Sequence, residues 1–174
     1  MTPLVFRRKA EPLLKIIESI LSYPIGLNGF REGLSEAEVT SCLPELGPHT
    51  TSFRDVYRQF NGFSWMDVWN GYQWDEARQV GDGVDRGNPH AIRIGREEIP
   101  VRAFGSTGGG DFFAIDLSNG SIWFLPHDFV TEGVCEGSAI RRAAGVSEFL
   151  DLLLADLSAF VNEDENHQFL DNYA

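Results

Sequence analysis

The hydrophobic period changes twice along this chain, and those two changes limit the folds open to it. Up to Asn61-Gly62 apolar residues recur at helical spacing. From Ala91 to Leu125 they fall into short runs of two-residue period, and from Val146 helical spacing returns. Helices first, then strands, then a closing helix predicts an α+β domain, not an alternating parallel fold. Its sheet is expected to be mainly antiparallel, of about four to six strands. The expected order within this single domain is helices over residues 10–62, sheet over 63–130, the closing helix over 146–162 and an acidic tail.

Leu13, Ile16, Ile17, Ile20 and Leu21 form one helical stripe, with Pro12 suited to the first turn and Pro24 beyond the end. Gly26 to Gly33 reads as a loop. Ser35 followed by Glu38 is a capping box, Leu34 and Val39 stand where a hydrophobic staple places them, and Pro44 ends that short helix. Ser52 is positioned to cap a third helix with the stripe Phe53, Val56, Tyr57 and Phe60, closed by Asn61-Gly62. Asn70-Gly71 then marks a turn among crowded aromatics, which begin strands or an aromatic loop. Asp75 to His90 has no period and is expected to be a long loop.

Ala91–Ile94, Ile99–Phe104, Phe112–Leu117 and Ile122–Leu125 read as strands, the last two joined through Asn119-Gly120, the strongest hairpin signal present. Phe113, Ile115 and Leu117 share an apolar face, while Phe112, Ala114 and Asp116 make a mixed face expected to meet water or loops. The stripe from Val146 through Phe149, Leu150, Leu153, Leu154, Leu157, Phe160 and Val161, with Ser147 as cap, is expected to cover the apolar face. The polar tail after Val161 is expected to be frayed, although its Phe169, Leu170 and Tyr173 could dock back.

Charge narrows the function classes. Among 174 residues, 26 acids against 14 bases leave a formal charge of -12. Affinity for nucleic acid comes mostly from cations neutralising phosphates, so direct nucleic-acid binding is not expected. The same field attracts cationic partners. The charge is uneven: Asp151, Asp156, Glu163, Asp164, Glu165 and Asp171 are joined by no Lys or Arg from residue 151 onward, and supply half of it. Cys42 and Cys135 lack metal or redox spacing and read as free thiols of a cytoplasmic protein. No apolar window approaches the ~20 residues of a membrane span, and the first ten residues do not read as a signal peptide.

No catalytic, cofactor or metal site is predicted. Gly105 to Asp111 lacks the Gly-Lys-Ser/Thr ending of a phosphate loop, so Gly109, Gly110 and Asp111 read as a turn into a strand. His127 and Asp128, adjacent on an extended segment, would point to opposite sides and so not serve one site. His49, His90 and His167 have no ligand spacing. The candidate partner-binding group is Trp65, Trp69, Tyr72 and Trp74 with the nearby charges Asp67, Asp75 and Glu76. Exposed aromatics anchor interfaces while buried ones fill cores, and both readings stay open for this cluster.

Three stretches carry a resemblance to a known family. One runs from Leu43-Pro44-Glu45-Leu46 through a helix to Phe60-Asn61-Gly62-Phe63. The second is Gly108-Gly109-Gly110-Asp111-Phe112-Phe113-Ala114-Ile115-Asp116-Leu117, with Ser118 to Trp123 and His127-Asp128 following. The third is Val146-Ser147-Glu148-Phe149-Leu150. In that order they resemble the SUKH superfamily, which includes fungal cell-wall regulators and many bacterial immunity proteins. The tryptophan-dense segment and the Asp75 to His90 loop depart from the pattern. The resemblance implies a non-enzymatic α+β domain that binds another protein, very often a toxin that it neutralises; with the acidic charge, the expected partner is a cognate toxin such as a basic nuclease or deaminase. Its alternative is a regulatory or scaffold domain with a different protein or peptide ligand.

Overall fold

The structure, a computed structural model, describes residues 1–21, 28–43, 46–47, 50–83 and 87–171. Pro24, Gly26, Pro44, Glu45, His49 and Tyr173, named above, lie outside them. Among the described residues five helices and ten strands make an α+β fold with an antiparallel sheet. The fold class is as expected. The strands outnumber the expected four to six because several are too short to display a period.

Helix α1 (Pro3–Ile20) begins well before the Leu13 stripe, with Thr2 as its N-cap and Pro3 in the first turn. Pro12 lies inside the helix rather than at its start, on an exposed position where its ring meets solvent. Phe6, Ala10, Leu14 and Ile17 form the buried face, leaving Ile16 and Ile20 exposed. Residues 28–32 are not loop but strand β1 (Asn28–Glu32), antiparallel to β2 (Phe60–Trp65). Its one apolar side chain, Phe30, packs against Phe6, Phe60, Phe63 and Trp65. A single anchor leaves no alternation to read.

Helix α2 (Glu36–Cys42) carries the expected Ser35 and Glu38 capping box. Helix α3 (Thr51–Gln59) starts from Thr50 rather than Ser52, and Thr50 Oγ1 donates to the Gly47 carbonyl. The helix ends at Gln59, so Asn61-Gly62 is not its cap but lies inside β2. Asn61 Oδ1 accepts the Ala77 N–H at 2.9 Å. Gly62 has φ +86°, and a Cβ there would lie 2.4 Å from the Trp74 carbonyl oxygen. Both the left-handed backbone and the close approach exclude a side chain. Gly62→Ala is therefore expected to cost about 3 kcal/mol, read as a lower urea midpoint at unchanged m-value. A loss below about 1 kcal/mol would show that the β2–β3 contact yields easily.

β2 pairs with β3 (Tyr72–Trp74), which pairs with the C-terminal part of β5 (Glu97–Thr107). On the other edge of β5 follow β6 (Phe112–Asp116), β7 (Ile122–Leu125) and β10 (Ile140–Ala143), all antiparallel. β4 (Ala91–Ile94) pairs with the N-terminal part of β5 and lies parallel to β9 (Val134–Glu136), which pairs with β8 (Val130–Thr131). Between β3 and β4, the expected loop contains a short helix α4 (Ala77–Gly81) with a Glu76 and Gln79 capping box. Arg102 donates to the Val80 and Gly81 carbonyls at 3.1 Å and holds its end.

The β6–β7 hairpin forms as expected, with Ile115 opposite Ile122. Asp116 closes it by accepting from the Ser118 N–H at 2.7 Å and Asn119 Nδ2 at 2.8 Å, and Gly120 takes φ +80°. Helix α5 (Val146–Val161) covers the apolar face, its Phe149 ring 5.2 Å from Phe113 and 5.7 Å from Phe104. Gly145, not Ser147, is its N-cap. The mixed face is mostly covered, with Phe112 left partly exposed. Ala114 packs there with Ile92, Val101, Leu125 and Cys135 in a second, smaller core. Both cysteines are free thiols.

Candidate functional site

The structure divides the candidate aromatic group. Trp65, Tyr72 and Trp74 are 0 to 1% exposed and are core, not docking residues. β2 and β3 lie inside the sheet, so their inward side chains stack beneath the helices: Trp65 on Phe63 at 4.2 Å, Trp74 beside Phe104 at 4.6 Å. Asp75 and Glu76 serve local structure, accepting from Gln73 Nε2 at 2.8 Å and pairing with Arg31 at 3.1 Å. Asp67 accepts from Asn28 Nδ2 at 2.7 Å and ties the turn after β2 to β1. Trp69, at the tip of that turn, is 53% exposed and has a left-handed backbone with φ +51°.

What surrounds Trp69 comes from the far end of the chain. Phe169 stacks under its indole, centroids 4.2 Å apart and planes within 3°. His167 meets Phe169 edge-on at 4.9 Å. A groove of about 210 Å³ runs past this stack, floored by Ala159 and Phe160 at the end of α5 and rimmed by Glu163, Asp164 and Glu165. The acidic tail and the exposed tryptophan, separate features of the sequence, are thus one surface.

A buried polar cluster holds the tail in place. Asp156 sits on the core side of α5 and is 2% exposed. Its carboxylate accepts from Tyr72 Oη at 2.7 Å and the Leu170 N–H at 3.0 Å, and lies 2.7 Å from His167 Nε2. Asp171 is close by, 3.5 Å from Tyr72 Oη and hydrogen-bonded to Asn70. Burial pushes both carboxyls above the usual carboxylate range, with the hydrogen bonds of His167 and Asn70 respectively opposing it. Tyr72 is driven far above the ordinary phenol value by burial and the two neighbouring carboxylates, so it stays a donor. Arg142, stacked on Phe124 at 5.2 Å, is lowered by burial while Asp171 opposes this. Asp156 was not singled out from the sequence. The available signal was a carboxylate three residues after Leu153, on a face otherwise apolar.

Gly109 and Gly110 turn the chain between β5 and β6, and Thr107 N–H bonds the Asp111 carbonyl at 2.9 Å. The 4% exposed Asp111 carboxylate accepts the His127 N–H at 2.9 Å and lies 2.9 Å from His127 Nδ1. Contrary to expectation, Asp128 is also within reach, 3.1 Å from Nε2, because His127–Phe129 is a 3-10 turn and not extended. Both ring nitrogens therefore face carboxylates. The hydrogen bond that Nδ1 makes to the Asp111 carboxylate, then the charge of Asp128, raise the imidazole above its ordinary value. Its contribution to stability is fully present below about pH 6.5 and is lost as pH rises through the raised value. Asp111→Asn is expected to bring the His127 titration back toward the ordinary range in an NMR pH series; an unchanged midpoint would assign the shift elsewhere.

Among the described residues no group of three or more His, Cys, Asp or Glu is placed to hold a metal ion, and no helix is long and apolar enough to cross a membrane. No family model matches the chain, and no curated protein does.

Proposed function

We propose that this chain is a non-enzymatic, SUKH-like protein-binding domain acting in the cytoplasm, an immunity protein that neutralises a cognate bacterial toxin by occluding it. The observation that carries the reading is the exposed Trp69 platform, backed by Phe169 and collared by Glu163, Asp164 and Glu165. Aromatic anchors inside a charged rim are the anatomy of a protein interface. The acidic collar suits a basic toxin such as a nuclease or a nucleic-acid deaminase, whose substrate phosphates the carboxylates imitate. Binding is stoichiometric and breaks no bond.

The test is genetic and biochemical together. The reading frame directly upstream of this chain's gene is expressed with and without it, and the two products are tested for co-purification. Growth that depends on this chain, with a stable complex, is the expected result. Equal viability in its absence would overturn the immunity reading.

A further inference from the structure

Several features of the groove converge on one kind of occupant. Phe169 covers one face of the Trp69 indole in a parallel stack, and the indole is still 53% exposed, so its other face is open. Trp69 and Glu163 are two of the three non-glycine residues with left-handed backbone among the described residues, and both line this groove. A left-handed backbone is unfavourable for tryptophan. No Lys or Arg occurs in the sequence from residue 151 onward, so the acidic rim has no cation of its own segment. Beyond Phe160 and Glu163 the apolar floor continues into a second trough of about 170 Å³ lined by Ile17, Ile20 and Leu21.

Resting on the protein-binding reading above, we propose that the groove docks an arginine-bearing segment of the partner protein. The guanidinium lies flat on the open face of Trp69, its N–H groups turned to the Glu163 and Glu165 carboxylates, and a neighbouring apolar side chain enters onto Phe160. Arginine rather than lysine follows from the platform. A planar, weakly hydrated cation stacks on an indole and still presents N–H donors at its edge, whereas an ammonium is a compact, strongly hydrated point charge.

The probe is the peptide acetyl-Leu-Arg-Leu-Arg-amide, with its lysine counterpart, titrated into isotopically labelled full-length protein and followed by NMR. Saturable shifts confined to the Trp69 indole N–H and the amides of residues 159–169 are expected. The lysine peptide should bind about tenfold more weakly. Two variants should lose about tenfold in affinity: Trp69→Asn, whose side chain tolerates left-handed backbone, and Glu163→Gln with Glu165→Gln, which leaves the aromatic stack intact. No shifts, shifts elsewhere, equal binding of the lysine peptide, or full affinity in either variant would overturn the proposal. Concentration-dependent shifts without peptide, lost in Trp69→Asn, would put a second copy of the chain in the groove and overturn it as well. The cellular assay separates the two ideas. Full protection by Trp69→Asn would remove the docking mode and leave the immunity reading standing; no protection by the wild-type chain would remove that reading, with the peptide titration still judging the groove.

Discussion

Trp74→Ala is expected to destabilise the fold by about 4 kcal/mol, from loss of a large buried aromatic and the cavity it leaves. The ring is 1% exposed and sits among Phe53, Phe60, Phe63, Phe104 and Phe149, with centroids 4.6 to 6.1 Å away. Those partners come from α3, β2, β5 and α5, so no single element can shift to fill the space. A polar loss adds to the apolar one. Trp74 Nε1 donates to Tyr57 Oη at 2.9 Å, and Tyr57 Oη in turn donates to the Asp75 carbonyl at 3.2 Å. Tyr57 is itself fully buried, so a missing donor there is not replaced by water without opening the core. Trp74→Phe, which keeps most of the ring and loses the N–H, should cost about half as much. Urea unfolding at constant m-value measures both. A loss below about 1.5 kcal/mol for the alanine variant would mean that the aromatic cluster repacks, against the crossing of four elements just described.

The same residues show where sequence reasoning reaches and where it stops. Asn119-Gly120 and the Ser35 capping box were legible because each is decided within a few residues, by a left-handed turn in one case and a reciprocal pair of hydrogen bonds in the other. The α5 stripe was legible because six apolar residues fall at helical spacing from Val146 to Leu157. The density of tryptophan was also visible, but density does not distinguish core from surface: Trp65 and Trp74 point inward because β2 and β3 lie inside the sheet, a fact of long-range pairing with β1 and β5. Trp69 escapes that fate through a left-handed backbone that tryptophan rarely signals. β1 was missed because Phe30 alone carries its packing. The groove was illegible for the same reason as the strand order. Trp69 and Phe169 stand a hundred residues apart, and what joins them is Asp156, a charge whose place in an apolar stripe could have been noticed but whose partners could not have been named.

Asp156 accordingly carries the second large effect. Asp156→Ala withdraws the acceptor from the Leu170 N–H, leaves Tyr72 Oη only the distant Asp171 carboxylate at 3.5 Å, and removes the carboxylate beside His167. Leaving buried donors unmet costs about 1 to 3 kcal/mol each. The tail after α5 can lift and hydrate its own groups, however, whereas Tyr72 is anchored in β3 beneath it. The expected loss is therefore about 3 kcal/mol, with local opening of residues 162–171 in place of a still larger global loss. Two local readouts follow. The Leu170 amide should exchange much faster, and Trp69, losing Phe169, should shift its fluorescence to longer wavelength. Asp156→Asn keeps one acceptor oxygen but loses the negative charge, and its N–H pair finds an acceptor in His167 Nε2 only in one imidazole tautomer, so it should be intermediate. Its pH dependence is diagnostic. Burial raises the Asp156 carboxyl, so this group adds stability fully below its unfolded value of about 3.8 and loses that contribution as pH rises through the folded value. The asparagine variant lacks this titration. Its deficit relative to the wild-type chain should widen as pH falls from neutral toward 4. A gap that stays constant across that range, or a Leu170 amide that exchanges no faster in the alanine variant, would mean that the tail is held by the Trp69 and Phe169 stack and not by the buried carboxylate.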